Sequence, residues 1–331
     1  MQSAEWLKPF FILHFAICTY MFSYSRILKD AYHITLGFPV LWLFGLFVLG
    51  GFNVNFLHFQ DIHTKELIEH VQVKELLSYF INHPDILATV SFSILLLSVF
   101  GLVITNWCRI MLVLVVDDIL KKKALDIRSQ IVRSKFSVFP VIKMSLFTTF
   151  FICVVGAVLF LPPLFVVQDI QLRTILWSVG AVLFVPIVFT ISCVNIFTTY
   201  FVILFKQKLS HALNLATDFF LSRWSQILGL AVALMAVYLL TFFVGVSIIY
   251  ILKVVFRLIF EELTPYTIFS VSAIILIPNI VANILIWLLL AVLSVFFNTA
   301  LLLLFLELIT PIEFEEKLFQ KAALAAPMPS S

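Results

Sequence analysis

Charge is what this chain has least of. Only 12% of its 331 residues are Asp, Glu, Lys or Arg, where a soluble globular domain carries about 25%. Glycine is nearly as scarce, with nine in the whole sequence. Loops that cradle phosphate need glycine so that backbone N–H groups can approach the anion. No Walker A sequence, dinucleotide fingerprint, GxSxG or HExxH occurs. Intramembrane proteolysis, lipid phosphoryl transfer and ATP-driven transport all lack their expected residues, and the sequence points away from an enzyme and from any cofactor. The four cysteines, Cys18, Cys108, Cys153 and Cys193, show no CxxC spacing. Neither a zinc site nor a disulfide framework is indicated, and they read as small, buried, unreactive side chains. A net charge of +3 without a basic stripe argues against nucleic-acid binding.

What the chain has in excess is apolar sequence: 63% hydrophobic residues, with 37 phenylalanines. Uncharged runs cover residues 31–60, 86–108, 144–168, 174–205, 224–252 and 263–306. Each is long enough for a helix to cross about 30 Å of hydrocarbon, which takes about 20 residues. The expected fold is all-α, a polytopic transmembrane helical bundle with spans near 38–57, 86–108, 139–161, 178–203, 227–251 and 282–305. Pro278 and Asn279 divide the last run, so 268–277 reads as a lead-in or re-entrant piece before the sixth helix. The uncharged segment 9–25 lies at the lower limit for a span. It is either a seventh span or an interfacial helix, the latter preferred. The organisation is then an N-terminal segment 1–36, a six-helix domain 37–308 and a tail 309–331.

Lys and Arg accumulate in short cytoplasmic connectors. With six spans, segments 24–36, 109–137, 206–226 and the tail hold fourteen basic residues; the opposite side, 57–85, 162–174 and 252–267, holds five. This places the DDILKKK stretch and the C-terminus in the cytoplasm, in a multi-pass protein of a bacterial inner membrane. Lys121, Lys122, Lys123, Arg128 and Arg133 are the expected contacts to anionic lipid headgroups.

The connectors leading into spans one, three and five share a spacing of apolar residues: Ala31/Ile34/Phe38, Ala124/Ile127/Ile131 and Ala212/Leu215/Phe219. At i, i+3 and i+7 these make one helical face. The expectation is an amphipathic interfacial helix followed by a transmembrane hairpin, repeated three times, with that face in the acyl boundary. Residues 26–51, RILKDAYHITLGFPVLWLFGLFVLGG, with the LW-x-x-G of Leu41, Trp42 and Gly45, carry a resemblance, as does FFLSRWSQILGL at 219–230. The chain resembles a group of bacterial six-helix membrane proteins similar to the membrane domain of some glycerophosphoryl diester phosphodiesterases. The resemblance implies the six-helix core from about 26 to 310. It implies no hydrolase activity, because the catalytic domain is not in this sequence.

Few intramembrane groups suggest chemistry. No helix is expected to carry a buried acidic pair or an Arg series of the kind proton relays or voltage sensors use. Asn195, Asn279 and Asn283 are the polar candidates, as interhelical glue or as a site beside the Pro278 break. In the outer loop, His63, Glu66 and His70 would share a helical face and could ligate a metal, although solvated loops often collect such residues. The functional expectation is a non-enzymatic scaffold, assembly or envelope-maintenance factor, partnered by the bilayer and by a membrane protein or a second copy. The alternative is a small-solute transporter or channel using the asparagines.

Overall fold

The computed structural model describes residues 24–48, 83–123, 126–166, 169–263 and 271–309. Seven helices occupy them: α1 Tyr24–Gly37, α2 Val40–Val48, α3 Pro84–Leu120, α4 Ile127–Val166, α5 Ile170–Phe205, α6 Leu209–Leu263 and α7 Val271–Leu308. There is no strand among the described residues. Five helices are long and apolar enough to cross a membrane, or six if α1 and α2, bent by 110° at residues 38–39, count as one span. The chain is a polytopic helical membrane protein.

The helix ends follow from local chemistry. Pro84 at the first turn of α3 needs no N–H partner there, and Asp85 beside it complements the helix dipole. Asp169 caps α5 by accepting from the Gln171 N–H at 2.8 Å. At the other end of α5, Lys206 adopts a left-handed conformation, φ 52°, that stops the helix.

In two places the helices run further than the sequence suggests. The connector 109–137 holds no separate interfacial helix: 109–120 continues α3 and 127–138 belongs to α4. With 37 residues, α3 is about 55 Å long, well beyond the hydrocarbon thickness. Neither stretch contains glycine or proline, so nothing stops the backbone ladder. The third connector is set off by a kink at Arg223, φ −124° and ψ 21°, inside α6. The second difference is at Pro278, where the expected break is absent and α7 continues through it as helix. A proline removes one backbone bond, which a transmembrane helix tolerates, and α5 likewise passes through Pro186. Of the expected first span, 40–48 is α2; residues 49–57 lie outside the described residues, as do 9–23, 268–270 and 310–331.

Contacts divide the chain into two units, one of residues 1–37, 143–234 and 296–331, the other of 38–142 and 235–295. The first is centred on aromatic rings. Phe197 and Phe201 of α5 meet Phe219 of α6 with ring centroids 5.0 and 6.4 Å apart, and Phe305 of α7 stacks on Phe197 at 5.9 Å. Tyr200 sits 5.2 Å from Phe305 and donates its hydroxyl to the Asn298 carbonyl at 3.3 Å. On the same unit, Tyr24 of α1 donates to the Gln226 carbonyl at 3.0 Å, and its ring occupies the space a side chain at Gly229 would need.

The second unit is centred on the latter half of α3. Residues 110–118 are buried on every side of the helix, whereas the first half of α3 is largely exposed. A helix apolar all round suits both surroundings, protein on one stretch and lipid on the other. Packed against α3 is α2. Gly45 of α2 lies against the Ala291 carbonyl of α7, and a Cβ there would come 2.7 Å from Val295 Cγ2.

The shared spacing of the connectors does not give them a shared orientation. Ala31 and Ile34 of α1, and Ala212 of α6, are buried in protein rather than turned to the acyl boundary. Alanine lets neighbouring backbones approach closely, which favours packing over lipid contact at those positions. Ile127 and Ile131 of α4 do face outward. Ala124 lies outside the described residues.

Candidate functional site

Charged and polar side chains converge where α3 turns into α4. At the end of α3, the Lys121 N–H bonds back to the Asp117 carbonyl, and Lys122 takes a left-handed φ of 53° to leave the helix. On the far side of the turn, Asp126 starts α4. Its Oδ1 accepts from the Arg128 and Ser129 backbone N–H groups at 3.1 and 3.4 Å.

Between these ends lie two buried acids. Asp117 and Asp118 are each 4% exposed, at the end of the most deeply buried stretch of α3. The expectation that no helix holds a buried acidic pair is therefore wrong. Isolated carboxylates would not remain in such a place, because removing an ion from water costs several kcal/mol on the order of magnitude that matters for folding. Each has a cation. Lys121, one turn on, places Nζ 2.7 Å from Asp117 Oδ2. Arg133 reaches across the hairpin from α4, its Nη1 3.4 Å from Asp118 Oδ1 and 3.3 Å from Gln130 Oε1. A second cross-hairpin bond runs from Trp107 Nε1 to Ser134 Oγ at 3.1 Å. Gln130, Ser134, Val141 and Met144 form the buried face of α4.

This arrangement sorts the basic residues of the connector into two groups. Lys121 and Arg133, expected to touch lipid, pair with carboxylates while their side chains stay 56% and 46% exposed. Lys122, Lys123 and Arg128, with Lys135, are exposed and have no ion-pair partner among the described residues. Alongside Arg128 and Lys135, on the face of α4 opposite Gln130 and Ser134, stand Val132, Phe136 and Phe139. Phe136 is 85% exposed and Phe139 76%.

The other candidates do not assemble into a site. Asn195 is buried on α5 in the first unit, and its carbonyl accepts the Thr199 hydroxyl at 2.8 Å. Asn283 is half-buried on α7 in the second unit, and Asn279 contributes only its helical backbone to the description. Buried polar groups bond mainly within their own helix: Thr198 to the Val194 carbonyl at 2.7 Å and Asn106 Nδ2 to the Leu102 carbonyl at 2.8 Å. His63, Glu66 and His70 lie outside the described residues, and no metal-holding group of His, Cys, Asp or Glu occurs among the described ones. Cys108 and Cys193 are buried free thiols, and Cys153 is an exposed one.

Sequence reasoning missed the inward direction of Asp117 and Asp118. The available signal was their position directly after seven uninterrupted apolar residues, with a lysine four residues beyond Asp117. No family model, curated protein or solved structure matches this chain.

Proposed function

We propose that this protein is a non-catalytic scaffold, assembly or envelope-maintenance factor of a bacterial inner membrane, with its C-terminus in the cytoplasm. The observation that carries this reading is how polar groups inside the helices are used. Asn195 sits among Phe197, Thr198 and Thr199, all buried, and the threonine hydroxyls close onto carbonyls of their own helix. Hydroxyls satisfied within their own helix are not available to a solute, which favours sealed packing over a polar path at this place. The fourteen-to-five bias of basic residues supports the orientation.

The rival reading, a small-solute transporter or channel using Asn195, Asn279 and Asn283, draws on one observation. Thr148 and Thr299 of the first unit hold buried hydroxyls with no hydrogen-bond partner among the described residues, and a polar solute or water could supply one. Reconstituted vesicles decide between the two. The scaffold reading expects solute uptake equal to that of empty vesicles, together with loss of envelope integrity in cells that lack the protein. Uptake that disappears on Asn195→Leu, in protein of unchanged thermal stability, would establish the rival.

A further inference from the structure

We propose that the outward face of α4, with Lys122 and Lys123 just after the end of α3, is a docking surface for anionic phospholipids. It deepens the scaffold reading by naming the partner of its connector, and it stands on three observations.

The first is charge. Acidic residues would cancel much of the positive field of this connector if they shared its surface. They do not share it, because Asp117 and Asp118 are buried and bound by Lys121 and Arg133. The Asp126 carboxylate is engaged in capping α4. Lys122, Lys123, Arg128 and Lys135 therefore present their charge outward, with Asp126 the one exposed acid among the described residues of the 109–137 connector.

The second is an inversion of polarity. A helix beside water turns its polar side out. The first part of α4 does the reverse, with Gln130 and Ser134 inside and Ile131, Val132, Phe136 and Phe139 outside. Apolar rings interleaved with cations fit a medium that is hydrocarbon on one side and anionic on the other, the boundary between headgroups and acyl chains. A soluble phosphate would satisfy the cations and leave two phenylalanines wet. A lipid covers both.

The third is contrast. Ala31 and Ile34 of α1 and Ala212 of α6, which occupy the matching positions in the other connectors, are buried in protein. At these shared positions Ile127 and Ile131 of α4 face outward instead, while Tyr32 and Leu36 of α1 and Leu221 and Trp224 of α6 are exposed apolar residues elsewhere on the other connectors.

The test uses the full-length chain in neutral detergent, with phosphatidylglycerol and phosphatidylcholine offered together and the retained lipid measured by native mass spectrometry. Phosphatidylglycerol should be retained in preference. Arg128→Gln and Lys135→Gln should each lower that preference about fivefold, the equivalent of ~1 kcal/mol per charge near the surface. Phe136→Ser with Phe139→Ser should lower it as well, while Lys208→Gln, on another connector, should leave it alone. Equal retention of the two lipids would overturn the proposal. So would displacement of phosphatidylglycerol by inorganic phosphate, or an effect of Lys208→Gln as large as that of Lys135→Gln. If the charge variants do not fold, salt serves on the unmodified chain. Raising it from 0.1 M to 1 M shortens the screening length from about 10 Å to about 3 Å and should erase the preference; a preference indifferent to salt refutes electrostatic docking. Solute flux would overturn the scaffold reading and leave this inference standing.

Discussion

Arg133→Met is the substitution that most directly tests the α3–α4 hairpin. It keeps much of the apolar stem and removes the guanidinium 3.4 Å from Asp118 Oδ1. Stripping the partner from a fully buried carboxylate costs about 3–5 kcal/mol, whereas an exposed pair contributes about 0–1 kcal/mol. Here the acid side chain is 6% exposed and the arginine 46%. Water screens the cation but scarcely reaches the anion, so the loss should fall between those limits, at about 2 kcal/mol. The assay is equilibrium unfolding of the purified chain in mixed micelles. Asp118→Leu in the same background supplies the decisive comparison. Once neither charge is present, no buried ion is left unpaired, and the double variant should recover to within about 1 kcal/mol of the parent. If Arg133→Met is neutral, or if the double variant loses at least the sum of the single losses, then the Arg133–Asp118 pair does not hold the hairpin.

Three further outcomes follow from the packing and the charge bias. Gly45→Leu should destabilise the second unit by about 3 kcal/mol, because the new side chain meets the Ala291 backbone as well as Val295 Cγ2, and unfolding in micelles would register it. Tyr24→Phe removes a single 3.0 Å bond to the Gln226 carbonyl and should cost about 1 kcal/mol in the same assay, while Gly229→Leu, which collides with the Tyr24 ring, should cost more. After replacement of the native cysteines, Lys122→Cys should be shielded from an impermeant thiol reagent outside intact cells and Lys65→Cys should react; the reverse pattern would invert the topology.

The helices themselves were legible because hydrocarbon imposes a length. A run of some 20 uncharged residues has few alternatives to helix when every backbone group must be paired internally. Their ends were not. Hydropathy marks where charge begins rather than where hydrogen bonding stops, and α3 continues through Asp117, Asp118 and Leu120 to the last turn before Lys121. The break expected at Pro278 rested on the N–H that proline lacks and on its crowding of the preceding turn. In α7 the same residue interrupts one bond of a ladder with no competing solvent. Burial was the least legible property. Periodicity reveals an inner face only where polar and apolar residues alternate around a helix, and residues 110–116 are apolar in every direction. Nothing in that stretch distinguishes protein contact from lipid contact.

The same argument explains why the hairpin was misread and what it does. The connector was expected to lie as an interfacial helix with its charges at the headgroups, since charges ordinarily seek a polar surface. The partner that lets Asp118 stay inside is fifteen residues away on another helix, at a separation no local pattern exposes. Lys121 and Arg133 pair with the buried acids, and Lys135 stands with the two exposed phenylalanines on the outward face. A membrane protein gains by that separation. Opposite charges mixed on one surface would largely cancel beyond a few ångströms, but with the acids drawn beneath the helix Asp118 ties α3 to α4 through Arg133 while the remaining cations act outward. The stability of the hairpin and the charge of its outer face are thus set by different residues, and substitutions at Arg133 and at Lys135 should separate the two properties.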